Sequence, residues 1–231
     1  MTKKYLIWDL PLRIFHWSFA LTILALWYTA EQGSELVEIH MQLGYVALGL
    51  LTFRILWGIV GPTHARFSQF IPSPKKLINY LFKRDSKQGN TPSAGHNPLG
   101  ALMVILMIVL VSVQAISGLF IDNDVFSTGP YNSVVSGDTE KLMSFLHHNT
   151  FDLVLIAIAL HIGAIAYYAL VKKLNLVTPM LTGKKDAKDV DSSAEIPHSK
   201  IILAIILALV CAAFIYWLVV INAPVIEDFY Y

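Results

Sequence analysis

Five long apolar stretches dominate the 231-residue chain, and the polar segments between them carry most of its charge. The stretches lie near residues 14–31, 37–60, 98–121, 144–171 and 199–221, close to or beyond the roughly 20 helical residues that cross a hydrocarbon core. Asp9-Leu10-Pro11 reads as a helix start, with an acidic cap before a proline at an early helical position. A short acidic turn around Gly33 separates the first two helices, Gly61-Pro62 ends the second, and Asn97-Pro98 opens the third. After Ser73-Pro74, the mixed stretch from Lys75 to Lys83 predicts a short helix, either lying in the membrane interface or serving as an ordinary amphipathic loop helix. The polar segment 122–143 contains Gly129-Pro130 and Gly137, which are expected to break any long helix. Residues 182–198, rich in Lys, Asp and Ser, read as a flexible linker. The predicted fold is an all-α membrane bundle: a four-helix core over 1–175, a linker over 176–198, and a fifth spanning helix with a short tail over 199–231. No internal repeat is evident.

Composition agrees with a membrane protein. The chain is 55% hydrophobic and only 14% charged, with a mean hydropathy of +0.58, against about 25% charged residues in soluble domains. Lys3 and Lys4 before the first stretch imitate a signal peptide, yet no small-residue cleavage site follows, and the stretch holds Arg13, His16 and several Trp residues. It is therefore read as a mature spanning helix. Cys211 is the only cysteine, which excludes a disulfide framework, a thiolate cluster and a CxxCH attachment site.

Charge orients the spans. Lys3, Lys4 and Arg13 precede the first span; Arg66, Lys75, Lys76, Lys83, Arg84 and Lys87 follow the second; Lys172, Lys173, Lys184, Lys185, Lys188 and Lys200 follow the fourth. The opposite side has mainly Lys141, beside Glu31, Glu35, Glu38, Asp122, Asp124, Asp138, Glu140, Glu227 and Asp228. The positive-inside rule makes the N-terminus cytoplasmic and the C-terminus external. The basic loops alternate strictly with the spans, so they mark topology rather than a nucleic-acid surface.

Four histidines, His16, His40, His147 and His161, fall within these apolar helices, where an ionisable side chain is a functional hypothesis by default. His147 and His161 are fourteen residues apart, which puts them within about 40° of one helix face and separates them by roughly 21 Å. His148 points to nearly the opposite side, so helical phase favours His147. His16 starts the first helix at the depth of His161, and His40 starts the second at the depth of His147. The pattern predicts two stacked bis-histidine haems, His16 with His161 on the inner side and His40 with His147 on the outer. Without CxxCH they would be non-covalent, b-type haems.

Arg54 lies fourteen residues after His40, which places it at the depth of the inner haem. It either pairs with a haem propionate, as Arg13 could from the first helix, or snorkels to the interface. Gly44, one turn after His40, either lets a flat macrocycle approach the backbone or serves as a small-residue helix contact. His64, His96 and His198 lie in loops and are expected to be solvated or interfacial. A buried imidazole bonded to a neighbouring helix is the alternative for each core histidine, but four at matched depths favour haem.

At these residues the chain resembles the prokaryotic cytochrome b561 family and the related b-type cytochrome subunits of nickel-iron hydrogenases. The strings are WDLPLRIFHW around His16, RILWGIVGPTHARF from Arg54, GHNPLGALM and QAISGLF. The resemblance implies two b haems, with one ligand each from the first and second helices and two from the fourth, which maps onto His16, His40, His147 and His161. It also implies a bacterial inner-membrane electron carrier exchanging with quinone or quinol and with a periplasmic c-type cytochrome or oxidoreductase subunit. An electron-transfer subunit is favoured over a stand-alone enzyme. A superoxide:quinone oxidoreductase would need an outer cation, for which Lys141 is the candidate; a non-redox transporter or membrane anchor is the remaining alternative. Trp8, Trp17, Gln114 and Ser117 are either quinone linings or, respectively, interfacial anchors and helix contacts.

Overall fold

The computed structural model describes residues 3–82, 94–122 and 128–224. Lys83, Arg84, Lys87, Asp124, Glu227 and Asp228 of the topology argument lie outside the described residues. The chain begins with β1 (Lys4–Leu6) and α1 (Leu10–Glu31), followed by a 3-10 turn, Gly33–Leu36, that leads into α2 (Val37–Val60). Two short helices, α3 (Phe67–Phe70) and α4 (Pro74–Leu81), precede α5 (Pro98–Ser117), which tightens into a 3-10 turn over Gly118–Phe120. Then come α6 (Gly137–Leu170), α7 (Val177–Thr182), β2 (Lys184–Asp186) and α8 (Ile201–Tyr216), the last ending in a π-helical turn over Trp217–Ile221. The fold is all-α, with five helical segments long and apolar enough to cross a membrane: Leu10–Glu31, Gly33–Val60, Pro98–Phe120, Gly137–Leu170 and Ile201–Ile221.

Side-chain caps explain where the elements start. Asp9 Oδ1 accepts from Leu12 N at 2.9 Å and begins α1, satisfying one of the orphan donors of a helix start. Ser73 Oγ caps α4 by accepting from Lys76 N at 3.3 Å. Helix α6 begins seven residues before the span read from hydropathy. Ser136 Oγ accepts from Thr139 N at 3.3 Å, and Asp138 and Glu140 in the first turn suit the positive end of the helix dipole. Gly137, expected to break a helix, therefore opens one. The stretch read as a linker carries ordered structure, α7 and β2.

In a span, side chains exposed on the chain face lipid, and the backbone must satisfy itself within the helix. Along α8 only Ala204, Cys211 and Ile215 are buried, while Ile202, Leu209 and Val210 are exposed. Packing thus uses one narrow stripe of that helix.

The chain forms two compact parts. The first comprises Met1–His16, Arg54–Met107 and Ile156–Ile206. Its organising element is a clasp: β1 runs antiparallel to β2 with Tyr5 opposite Lys185. The carbonyl of Gly183 accepts from Ile7 N at 2.9 Å and Trp8 N at 3.0 Å, and Ile196 N donates to Leu6 O at 2.9 Å. Leu10 N donates to Ser199 Oγ at 3.1 Å, and Lys200 Nζ caps the end of α2 by donating to Val60 O at 2.9 Å. The second part comprises Trp17–Phe53, Ile108–Leu155 and Leu207–Tyr231. There Ile215 lies 3.5 Å from where a Cβ on Gly49 would stand. Tyr131 donates its hydroxyl to Leu218 O at 2.7 Å, and Tyr131 N bonds Leu119 O at 2.9 Å.

Gly183 has φ +82°, and a Cβ added there would lie 2.7 Å from Trp8 O. Gly183→Ala is expected to destabilise the clasp by about 1–3 kcal/mol, read as a lower melting temperature of the detergent-purified protein. At Gly137 a Cβ meets no described atom within 4 Å, so Gly137→Ala should leave the melting temperature unchanged or raise it.

Candidate functional site

In the first part of the chain, α1 supplies His16 and α6 supplies His161. Their ring centroids are 6.4 Å apart at an interplanar angle of 54°, and both residues are half-buried. In the second part, α2 supplies His40 and α6 supplies His147, with centroids 6.2 Å apart and planes at 79°. The structure therefore brings together the same two pairs that depth along the helices predicts. His148 is exposed, and its Nδ1 bonds Ser144 O within its own helix at 2.8 Å.

Backbone carbonyls orient the second pair. His40 Nδ1 lies 3.1 Å from Leu26 O and His147 Nδ1 lies 2.9 Å from Gln114 O. A carbonyl oxygen only accepts, so Nδ1 carries the hydrogen in each ring and the Nε2 lone pair is left for a metal. A metal held between the two rings by metal–nitrogen bonds of about 2 Å would leave the ring centres roughly 6 Å apart. Both pairs match that spacing. Among the described residues no group of three or more His, Cys, Asp or Glu side chains gathers in a metal-binding arrangement. Two ligands per pair suit a metal whose remaining positions are filled by a planar macrocycle.

Space is available beside these rings. A Cβ on Gly44 meets no described atom within 4 Å, so this face of α2, one turn from His40, is open. At Gly118 a Cβ would lie 3.1 Å from His147 Cε1; the missing side chain is what lets that ring seat against the end of α5.

Arg54 is fully buried, with 2% exposure, and so does not snorkel. Its Nη1 donates to Ala65 O at 3.2 Å, its guanidinium lies 4.7 Å from the centre of the Phe67 ring, and its Nη2 has no hydrogen-bond partner among the described residues. Phe67 reaches this position because Gly58 lacks a Cβ, which would otherwise stand 2.1 Å from the ring. Arg13 donates from Nη1 to Leu181 O, while its buried Nε has no partner among the described residues.

Sequence reading gave Asp9 only as a helix cap and passed over its partner Trp57. Asp9 is 1% exposed and Trp57 fully buried; Trp57 Nε1 donates to Asp9 Oδ1 at 3.0 Å, so one carboxylate oxygen joins the start of α1 to the end of α2. His64 and His96, expected to be solvated or interfacial, are half-buried. His64 Nε2 donates to Ala194 O at 2.7 Å. The His96 ring packs 4.7 Å from both Trp8 and Phe70. Burial and then the nearby charges of Arg54 and Lys185 push its imidazole down to about 3, so it is neutral near pH 7. The signal available in the sequence was the aromatic density around them, Trp8, Phe67 and Phe70. His198 is exposed as expected. Gln114 offers its backbone carbonyl to His147 Nδ1 at 2.9 Å, and Ser117 Oγ lies 3.4 Å from the same nitrogen.

The family profile described as prokaryotic cytochrome b561 matches residues 7–183. The chain belongs to this family. Membership in the cytochrome b561 family implies haem b and membrane electron transfer. Relatives of this cytochrome include a probable Ni/Fe-hydrogenase B-type cytochrome subunit of Azotobacter chroococcum mcd 1, 25% identical over 217 residues. Proteins of the same description from Rhizobium leguminosarum bv. viciae and Azotobacter vinelandii are 22% and 26% identical over 219 and 220 residues. Each alignment covers 79% of this chain and 89% of the relative.

Burial raises the Asp9 carboxyl above its ordinary 3.8, opposed by hydrogen bonds from Leu12 and Trp57 and by the charge of Arg54. A carboxyl raised on folding stabilises fully below its unfolded value, and that contribution is lost as pH rises through the folded value. Relative to Asp9→Asn, the cytochrome's melting temperature should fall as pH rises from about 3.8 through the raised Asp9 value, then run parallel. Parallel curves throughout would contradict the assigned burial penalty.

Proposed function

We propose that this cytochrome carries electrons across the bacterial inner membrane on two b haems, one ligated by His16 and His161 and the other by His40 and His147. The observation that carries the reading is the spacing of the two imidazole pairs, 6.4 and 6.2 Å. When bound, haem iron supplies a one-electron ferric–ferrous couple. The chain's own residues provide the ligand atoms, fix ring orientation and exclude water. The unpartnered Nη2 of buried Arg54 supports a contact with a propionate of the inner haem, with Arg13 Nε as a second, weaker donor. Gly44 supports close approach of the outer macrocycle along α2.

The N-terminus is cytoplasmic and the C-terminus periplasmic in this reading, which the clustering of lysines in the segments after α2 and α6 supports by the positive-inside rule. Quinone or quinol in the membrane exchanges electrons with one end of the pathway. A periplasmic redox partner, a c-type cytochrome or an oxidoreductase subunit, exchanges with the other. The description of the relatives as probable Ni/Fe-hydrogenase B-type cytochrome subunits supports the subunit form of that partner.

A pyridine haemochromogen assay on the purified chain should give two b haems, and His40→Ala and His16→Ala should each remove a different one. Gly44→Leu should deplete the component lost in His40→Ala and spare the other. One haem per chain in the parent, or loss of the same spectral component in both histidine variants, would refute the ligand pairs.

A further inference from the structure

Both imidazoles of the outer pair share their carbonyl acceptor with a buried hydroxyl. On α1, Leu26 O lies 3.1 Å from His40 Nδ1 and 3.1 Å from Thr29 Oγ1. On α5, Gln114 O lies 2.9 Å from His147 Nδ1 and accepts from Ser117 Oγ at 3.1 Å. In each case the carbonyl belongs to the residue three before the hydroxyl, and both hydroxyl residues are buried, Thr29 at 4% and Ser117 at 1% exposure.

The two clusters differ in where the hydroxyl hydrogen goes. Thr29 Oγ1 makes its shortest bond to Ala25 O, at 2.9 Å. With the hydrogen directed down its own helix, its lone pairs face His40 Nδ1 at 3.1 Å, as close as the carbonyl. Thr29 is thus a second acceptor for the His40 N–H. Ser117 is 3.4 Å from His147 Nδ1, beyond the 2.7–3.2 Å of a good N–H···O bond. Its hydrogen goes to Gln114 O, the same atom that accepts from His147, so Ser117 competes with the imidazole for that carbonyl.

We propose that these hydroxyls set the electron affinity of the outer haem in opposite senses: Thr29 strengthens the donor character of His40, and Ser117 weakens that of His147. Stronger donation from Nδ1–H makes an imidazole a more basic ligand, and a more basic ligand favours ferric over ferrous iron. Thr29 and Ser117 are positioning residues that act through the ligands. The inference rests on the assignment of His40 and His147 as outer-haem ligands.

The test is potentiometric titration of the full chain in detergent, with dithionite, ferricyanide and mediators, following the reduced b-haem band. Ser117→Ala should lower the midpoint of the outer haem and Thr29→Val should raise it, the inner component staying in place. Each change is expected to be severalfold in the ferrous-to-ferric ratio at fixed potential, where tenfold corresponds to 59 mV for one electron. Thr29→Ser and Ser117→Thr keep the hydroxyls and should titrate like the parent. Shifts of the same sign, no shift, a shift of the inner component, or a shift in either hydroxyl-retaining variant overturns the proposal. So does loss of the outer haem in Ser117→Ala or Thr29→Val, which would make the hydroxyls structural. Retention of both haems in His40→Ala would instead sink the underlying ligand assignment, whatever the potentials show.

Discussion

The Asp9 carboxylate fixes the geometry on which the His16–His161 pair depends. One of its oxygens caps α1 through Leu12 N and holds the indole of Trp57 near the end of α2. His16 follows two helical turns later, so the start of α1 sets its depth and rotation. A neutral side chain at residue 9 that could not accept both hydrogen bonds would leave a buried indole N–H and a helix-start N–H in competition for nothing. Buried donors without acceptors are costly, and that cost makes this join specific. The same region holds Arg54, whose charge lies close enough to oppose the burial penalty on Asp9.

Much of this organisation was legible in the sequence because two strong periodicities govern it. Hydropathy located all five spans, and helical phase separated His147 from His148, since residues thirteen and fourteen before His161 project in very different directions. Depth alone paired His16 with His161 and His40 with His147. What escaped is tertiary. The start of α6 was misplaced because a serine cap and two acidic residues outweigh the reluctance of Gly137. The partnership of β1 with β2 was invisible because three-residue strands carry no usable pattern, and their pairing joins positions some 180 residues apart. The packing of His64 and His96, read as solvated or interfacial, was hidden because loop position says nothing about aromatic neighbours contributed from elsewhere.

Backbone carbonyls exert direct control over the His40–His147 pair. For His40 and His147 the backbone itself supplies the Nδ1 acceptors, from α1 and α5 respectively, so helix packing and tautomer are set together. A shift of either helix would change ring orientation and the basicity of Nε2 at once. Helices in a membrane gain little from the hydrophobic effect between themselves, so such directional contacts carry much of the specificity that a water-soluble core would draw from burial.

The β1–β2 clasp also imposes an order on biosynthesis. Residues 4–6 emerge from the ribosome first, yet their hydrogen-bonding partners lie at 184–186, beyond the first four spans. Until that late segment has been translated, the strand ahead of the first helix has no mate and the Gly183 carbonyl is not there to receive Ile7 and Trp8. The helices bearing His16 and His161 are therefore locked together only after most of the chain has been made. Any group that enters between these two histidines before this moment meets an unlatched pair, and any that follows must enter a latched one.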